Sequence, residues 1–288
     1  MLQAVKVRLY PNTVQQEAFS KSFGCARWYW NFALNACIQH YQETGKTLKL
    51  SDYKGLLPQL KKEYPWLKTD CYSAVLHCVA INLNKAYKNF FEGRAKFPRF
   101  KSKHRQQSIQ YPQNVVIGKK NCLKVPKIGE VKAVFHREIV GQIKTVTISK
   151  TSSGKYFASL LCETEDILGE ESSFPSSERL GQSENKVLGI DLGLKDFAIV
   201  NDGKTTEKYA NPKHIAKHEK NLKRKQRKLS RQVKGSKSRD KARQLVARVH
   251  ERVRNSRQDF LHKLSRKLVD ENQVIVVENL NVKGMVRN

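Results

Sequence analysis

Two carboxylates, each at the end of an apolar stretch, have the residue type and placement to do chemistry. Asp191 ends the run Val187–Asp191, inside the segment KVLGIDLGLKDFA. Glu278 follows Gln273–Val277, whose last four residues are all β-branched. Two carboxylates brought together repel each other unless a cation lies between them, and such hard oxygen ligands select Mg²⁺ or Mn²⁺. A pair of these ions can activate water and stabilise the leaving oxygen of a phosphodiester.

The segments between the two carboxylates predict how they could meet. The stretch from Pro212 to Glu271 is predicted to be helical and to split at Gly235. A strand–helix–strand crossover is right-handed and places the last strand parallel to the first. We therefore expect Asp191 and Glu278 at one edge of a sheet, in a ribonuclease H-like arrangement with both residues as catalytic metal ligands. The predicted strands are Val187–Asp191, Phe197–Asn201, Thr205–Tyr209 and Gln273–Val277, with a hairpin turn at Asp202-Gly203.

The Ile-Asp-Leu-Gly pattern at residues 190–193 is weak evidence on its own. The same pattern opens the phosphate loop of actin-like ATPases and sugar kinases. Those proteins need a second glycine-rich phosphate loop and an adenosine motif, and the sequence contains neither. The combination of both carboxylates with a strongly basic crossover favours a nuclease.

Charge indicates the partner. The chain has 55 Lys and Arg residues against 26 Asp and Glu, a formal net charge of +29. A charge of this size favours a polyanion, with nucleic acid the first choice and an anionic membrane the second. The basic helices have narrow apolar stripes, and no apolar run approaches the roughly 20 residues that cross a bilayer. The N-terminus has no signal-peptide core, so we expect a cytoplasmic protein that binds nucleic acid and no membrane.

Two basic segments carry the candidate nucleic-acid contacts. Residues 211–271 hold 21 Lys and Arg against six Asp and Glu, which is typical of a helical hairpin that tracks phosphates, although a hairpin packed only on itself remains an alternative. Residues 93–105 interleave Phe97 and Phe100 with cations, which suits base stacking; a solvated loop anchored by two core phenylalanines is an equal alternative. The candidate contacts in the basic stretches are Lys88, Arg94, Arg99, Lys101, Arg224, Lys228, Arg231 and Arg257.

The first part of the chain predicts a β domain with a helical insertion. Residues 2–10 alternate like a strand, and six short strands follow between residues 108 and 162, a spacing typical of a small barrel or sandwich. The insertion begins with two predicted helices, one from Thr13 and one over about residues 25–42, which form either a helix-turn-helix or a plain hairpin. A helix broken at Pro58 and Pro65 and a long helix over residues 70–91 complete it.

These elements give an α+β chain with four predicted segments. Residues 1–10 and 106–165 form the β-barrel domain, 11–105 the helical insertion, 166–186 an acidic linker and 187–288 the nuclease domain. None of the six cysteines forms a C-x-x-C pair, so we expect buried thiols and neither a zinc finger nor a disulfide framework.

Motifs along the whole chain resemble the transposon-encoded TnpB (OrfB) family, which is related to type V CRISPR effectors. They are VRLYPN (7–12), AYKNFF (86–91), FPRFK (97–101), GIDLGLKDFA (189–198), RQDFLHKLS (257–265) and VVENLNVKGM (276–285). The resemblance implies a wedge-like barrel with a helical recognition insertion, then a RuvC-like nuclease domain. It also implies a transposon-derived guide RNA and a double-stranded DNA target. Asp191 and Glu278 match the family's first two catalytic carboxylates.

The chain departs from the family at its C-terminal end. Family members continue into a zinc ribbon and a third catalytic Asp, neither of which this sequence contains. The sequence therefore predicts a C-terminally truncated protein whose RuvC-like domain is incomplete. One expectation is an RNA-guided DNA endonuclease; alternatives are a cleavage-incompetent RNA-guided DNA-binding protein, repressor-like or decayed, and a simple helix-turn-helix DNA-binding factor.

Overall fold

The computed structural model describes residues 1–119, 121–164, 186–193 and 195–279. They belong to two units, Met1–Leu168 and Gly169–Asn288. The acidic linker predicted over residues 166–186 lies outside the described residues except for Lys186, as does the end of the VVENLNVKGM motif. None of the helices in the described ranges combines the length and the apolarity that a membrane crossing requires.

The first unit is built on a seven-stranded antiparallel sheet with the order β2-β6-β7-β1-β5-β4-β3. Its strands are β1 (Leu2–Tyr10), β2 (Gln107–Tyr111), β3 (Val116–Gly118), β4 (Cys122–Val125), β5 (Gly129–Val134), β6 (Gln142–Lys150) and β7 (Tyr156–Glu163). All were expected from alternation and turn residues. The predicted pairing of the N-terminal strand with the later ones is confirmed, since β1 pairs with β7 from Leu2–Glu163 to Leu9–Tyr156 and also with β5. Closure of this sheet into a barrel stays a prediction.

One helix replaces the two that were predicted at the start of the insertion. The helices are α1 (Thr13–Thr44), α2 (Leu50–Gly55), α3 (Leu57–Glu63), α4 (Trp66–Thr69) and α5 (Ser73–Phe91). The predicted start at Thr13 is confirmed, and the helix is capped there by a capping box of Asn12 and Gln15. The end of α1 at Gly45, with φ 67°, agrees with the sequence.

Burial on both sides of Gly24 explains why α1 does not break. Phe19 and Phe23 are buried before it, and Ala26, Tyr29 and Trp30 after it. A glycine inside a helix costs only about 1 kcal/mol, whereas each buried large side chain contributes about 1.5–3 kcal/mol. Continuous burial along one side of the helix therefore outweighs the local preference for a break.

The core of the first unit joins this helix to the sheet. The Phe19 ring lies 5.6 Å from that of Tyr156 on β7, and the Tyr29 hydroxyl donates a 2.7 Å hydrogen bond to the Tyr53 carbonyl. Five of the six cysteines are buried and the other, Cys122, is half-buried; all are free thiols, as expected.

The second unit contains a four-stranded sheet with the order β10-β9-β8-β11. Its elements are β8 (Val187–Leu192), β9 (Asp196–Asn201), β10 (Thr206–Ala210), α6 (His214–Ser230), α7 (Lys237–Glu271) and β11 (Val274–Val277). The break between the helices occurs at Gly235, where φ is 88°. Strand β11 lies parallel to and beside β8, as the crossover rule predicted. Leu264 and Leu268 of α7 pack against Leu188 and Val200 on one face of the sheet.

Gly141, which directly precedes β6 and lies opposite the end of β7, should tolerate no side chain. A Cβ there would collide with the Glu163 carbonyl oxygen, and the residue has φ 90°; Gly154, at φ 91°, has open space around its Cβ position. Gly154→Ala should cost about 1–2 kcal/mol of unfolding free energy for backbone conformation alone. Gly141→Ala should lower the free energy of unfolding by about 1–3 kcal/mol more than Gly154→Ala does, because the paired residues Gln142 and Glu163 must also move. Urea unfolding of the two variants checks this, and equal costs would contradict the close approach.

Candidate metal-binding edge and nucleic-acid interface

The register of the parallel pair sets the position of the two carboxylates. Ile190 pairs with Val277, so the next residues along the two strands are Asp191 and Glu278. At the roughly 5 Å spacing of neighbouring strands, the backbones at these two positions lie side by side. Both residues are exposed.

The other face of the strands is occupied by the core. Leu188 is buried and Ile190 packs against the cluster that includes Leu264 of α7. Because side chains alternate along a strand, Asp191 belongs to the face opposite α7. The same alternation, continued one residue past Val277, would place Glu278 on that face. Packing on one side of the sheet therefore leaves both carboxylates on the other side.

A tight turn follows Asp191 and depends on Gly193. A Cβ at this position would lie 2.9 Å from the Asp196 carbonyl oxygen, closer than real Cβ contacts. The Gly193 backbone N–H donates a 3.4 Å hydrogen bond to the Phe197 carbonyl. The glycine thus lets β9 return directly beside β8.

Two exposed carboxylates on adjacent strands suit a hard divalent cation. Carboxylate oxygens are the ligands that Mg²⁺ takes, and Mg²⁺ keeps several water molecules beside one or two carboxylates. Among the residues that the structure describes, no third His, Cys, Asp or Glu joins them in a group that could hold a metal ion. The donor set fits such an ion, with water completing its shell.

The basic hairpin is stabilised at its turn by one arginine. The Arg239 guanidinium donates hydrogen bonds of 3.1 and 2.7 Å to the carbonyls of Leu229 and Gln232, at the end of α6. The Ser236 hydroxyl accepts a 3.1 Å bond from the Arg239 backbone N–H and begins α7. No residue of α6 is fully buried. One side of the helix is half-buried, at residues such as Leu222 and Leu229, and the rest of its surface is exposed.

Cations on the hairpin fall into two groups. Several are paired with carboxylates, such as Lys223 with Glu219 at 2.7 Å and Lys263 with Asp259 at 2.9 Å. The predicted contacts Arg224, Lys228, Arg231 and Arg257 are exposed, and within the described residues no carboxylate pairs with them. Their positive charges are therefore not compensated locally.

Lys267 has a positioning role that the sequence did not indicate. Its ammonium donates to the Tyr209 hydroxyl at 2.8 Å and to Glu207 at 3.2 Å, both on β10. These two interactions raise the pKa of Lys267 above its usual value. The contact ties α7 to the sheet edge opposite β11.

In the first unit, two predicted contacts are partly neutralised. Lys88 and Arg94 both pair with Glu92, the former at 4.0 Å. Arg99 and Lys101 instead lie in a loop (residues 94–105) whose backbone is attached to α1. The Trp30 indole donates a 3.0 Å hydrogen bond to the Arg99 carbonyl. The Asn31 amide bonds Lys101 twice, accepting from its N–H at 2.7 Å and donating to its carbonyl at 3.0 Å.

The Lys101 side chain folds back over α1. Its ammonium lies 3.8 Å from the centre of the Trp30 ring. Part of the side chain remains exposed, but the loss of water around the ammonium lowers the pKa of Lys101 to about 8.

The two loop phenylalanines are not core anchors. Phe97 is 43% exposed and Phe100 is 55% exposed. Phe97 packs edge-on against Tyr87 and Phe90 of α5, at 5.7 and 5.3 Å between ring centres. The expectation of a loop anchored by two buried phenylalanines is therefore wrong; Trp30 and Asn31 anchor it, and the sequence marks neither residue for this role.

Comparisons with known proteins agree with the motifs. The family OrfB_IS605, described as a probable transposase, matches residues 161–288, and a helix-turn-helix domain of the same family, HTH_OrfB_IS605, matches residues 1–46. In the structure, the latter range contains β1 and the single helix α1.

Two similar proteins cover nearly all of the chain. An RNA-guided DNA endonuclease of Streptomyces pristinaespiralis is 33% identical over 292 residues, 99% of this chain and 69% of that protein. The RNA-guided DNA endonuclease InsQ of Escherichia coli K12 is 32% identical over 290 residues, 100% of this chain and 68% of InsQ. A cryo-EM structure of a Cas12f1-sgRNA-target DNA complex aligns over 97% of this chain and 81% of Cas12f1, with a TM-score of 0.41 and 11% identity.

Asn31 should govern the order of the loop. Asn31→Ala removes two hydrogen bonds to Lys101, each worth about 1 kcal/mol, so the loop should open more often. Hydrogen exchange at the Lys101 amide should accelerate by roughly fivefold to thirtyfold. Asn35→Ala, an exposed position one turn along α1, is the matched control. Unchanged exchange in Asn31→Ala would show that other contacts hold the loop.

Proposed function

The chain belongs to the OrfB (TnpB) family of IS605-type transposon proteins, and we propose that it works as an RNA-guided DNA endonuclease. The observation that carries the proposal is the Ile190–Val277 pair, because these are the residues that directly precede Asp191 and Glu278 on two adjacent parallel strands. The same unit presents unpaired cations on α6 and α7 that suit a nucleic-acid backbone.

In this proposal, Asp191 and Glu278 are catalytic metal ligands for Mg²⁺ or Mn²⁺. When bound, such ions supply a water of lowered pKa and stabilise the leaving oxygen of a phosphodiester. The described residues orient the ligands: Gly193 permits the turn after Asp191, and pairing with β8 holds the strand that leads into Glu278. The RuvC-like character of this sheet and the wedge-like barrel of the first unit belong to the same proposal.

The proposed partners are a transposon-derived guide RNA and a double-stranded DNA target. Exposed, unpaired cations gain most from phosphate contacts, because binding releases counterions and breaks no ion pair. Arg224, Lys228, Arg231 and Arg257 meet this condition in the second unit, and Arg99 does in the first. Lys88 and Arg94 pair with Glu92, so a phosphate would have to compete with that carboxylate for them.

A second candidate function is RNA-guided DNA binding without cleavage. The observation in its favour is that the described residues group two carboxylates, and no third ligand, at the sheet edge. The cationic surfaces would serve either function equally, so DNA cleavage is the measurement that separates them.

Metal-dependent cleavage should depend on both carboxylates. The protein is expressed with the DNA that flanks its gene, and the RNA that co-purifies is sequenced. A plasmid library containing the matching target is then incubated with the complex and Mg²⁺ or Mn²⁺. Asp191→Asn and Glu278→Gln should each lower the cleavage rate by at least about a hundredfold, because each removes a ligand charge needed at the reacting phosphate.

Asp196→Asn, a neighbouring carboxylate on β9, is the matched control and should cleave normally. Binding of target DNA should persist in all three variants. Cleavage that survives loss of either Asp191 or Glu278 would refute their role. Guide-dependent binding without any cleavage by the wild-type chain would establish the second candidate instead.

Salt dependence should distinguish the two groups of hairpin cations. Replacing Arg224, Lys228 and Arg231 by Gln should weaken nucleic-acid binding and lower the slope of log affinity against log salt by about 0.7–0.9 for each phosphate interaction removed. Replacing the paired cations Lys223, Lys263 and Arg266 by Gln removes the same formal charge and is the control. Fluorescence anisotropy across a salt series measures both. Equal slopes in the two triple variants would contradict the assignment of these cations to phosphates.

A further inference from the structure

A small cavity in the first unit lies between α1, the 94–105 loop and the start of β2. Its volume is about 190 Å³. Four cationic residues line it, Arg27 from α1 and Arg99, Lys101 and Arg105 from the loop, together with the ring of Phe100. We propose that this cavity, the cationic pocket, binds a single backbone phosphate of an unpaired nucleic-acid segment, whose neighbouring base stacks on Phe100.

The lining residues carry charge of one sign. No carboxylate is among them, so the four cationic residues have no counterion within the lining. Bringing an anion into this space relieves their repulsion and gains charge-assisted hydrogen bonds. Phosphate fits this chemistry better than a carboxylate peptide, because an exposed aromatic ring adjoins the cations and every nucleobase has a face that can stack on it.

Hydrogen bonds hold the pocket in place before a ligand binds. The Arg27 guanidinium donates a 2.9 Å bond to the Gln107 side-chain oxygen, and the Gln107 amide donates to the carbonyls of Ser102 and Arg105 at 3.0 and 2.8 Å. Trp30 and Asn31 fix the backbone of Arg99 and Lys101 as described above. Such preorganisation reduces the conformational entropy that is lost on binding, whereas a freely moving basic loop would lose all of it when the ligand binds.

Lys101 makes the pocket sensitive to pH. With a pKa of about 8, it is mostly protonated at pH 7 and mostly neutral at pH 9. The other charged groups facing it, Arg27, Arg99 and Arg105, keep their charge throughout this range, as does a phosphodiester. His104 lies in the same loop but does not line the pocket. Affinity should therefore fall by up to about tenfold from pH 7 to pH 9.

The inference rests on the proposed function only in taking nucleic acid as the ligand. Its test uses the full chain and short labelled single-stranded RNA, single-stranded DNA and duplex DNA, each in a salt series. If the four cations contact one phosphate, that single phosphate contributes one counterion-release term to the salt slope, and the effects of removing two of the cations are not additive. Arg27→Gln, Arg105→Gln and the double variant should all lower the salt slope by the same amount, about 0.7 for a single strand. Lys62→Gln, an exposed position on α3, should leave the slope unchanged.

Further variants separate charge, pH response and stacking. Arg27→Lys should restore most of the binding lost in Arg27→Gln, which excludes a general folding defect. Lys101→Arg should bind well but lose the decline between pH 7 and pH 9. Phe100→Leu should weaken single-strand binding by about fivefold or more while leaving duplex binding unchanged.

Distinct results would overturn the pocket and the proposed function. If the two arginine variants lower the slope additively, they contact separate phosphates and the single-phosphate pocket is wrong. If the pocket variants bind as the wild type does while guide-dependent binding persists, the pocket fails and the proposed function stands. If the wild-type chain binds none of the three nucleic acids, both fail. If the pocket variants lose affinity equally for RNA and DNA, the pocket recognises the phosphate alone. If the affinity falls for only one of them, that nucleic acid is the ligand of the pocket.

Discussion

The parallel pairing of β8 with β11 is the constraint on which the second unit depends. The pairing joins segments about 87 residues apart, and it is extended by the Lys186 N–H, which donates to the Gln273 side chain at 2.9 Å. The helical crossover of α6 and α7 must therefore leave the sheet after β10 and return to it at β11 on one side. Because α7 covers that side with Leu264, Leu268 and Phe260, the opposite side carries the exposed valines Val274 and Val276 along with the two carboxylate positions. The proposed metal ligands are thus placed by packing that they do not themselves contribute to.

Charge is distributed in both units by the same physical rule. Cations that position an element are paired, as Lys267 is with Glu207 and Tyr209. Most cations proposed to meet phosphates have no carboxylate partner among the described residues, as on α6 and in the cationic pocket; Lys88 and Arg94, which pair with Glu92, are the exceptions. A surface ion pair contributes little to the free energy of folding. Leaving some surface cations without carboxylate partners therefore destabilises the fold only slightly, and these cations are available to bind the phosphates of a polyanion.

The positions of the strands and the crossover were predictable because alternation, turn residues and chain handedness are local or near-universal. Asp202-Gly203 marked its hairpin, Gly235 marked the helix break, and β-branched residues marked β11. The continuity of α1 was not predictable in this way, since Gly24 looks like a break until the burial of Phe19, Phe23 and Tyr29 is known. Arg27, Trp30 and Asn31 were missed at the candidate interface for a related reason. Their roles arise from contacts with the 94–105 loop and with Gln107 of β2, some 70 to 80 residues away, and no spacing rule connects such positions.

The place of β1 in its sheet has a consequence for how the protein is made. Strand β1 lies between β5 and β7, and Leu2 pairs with Glu163. At roughly 5–20 residues per second, a ribosome needs on the order of 10–30 s to produce that partner after β1 emerges. During this interval the helices of the insertion can form, but Val5, Val7 and Leu9 cannot be buried in the sheet, because β7, with which β1 pairs along its length, has not been made. Such long-range pairing folds slowly, so the apolar face of β1 is a natural substrate for a chaperone during synthesis.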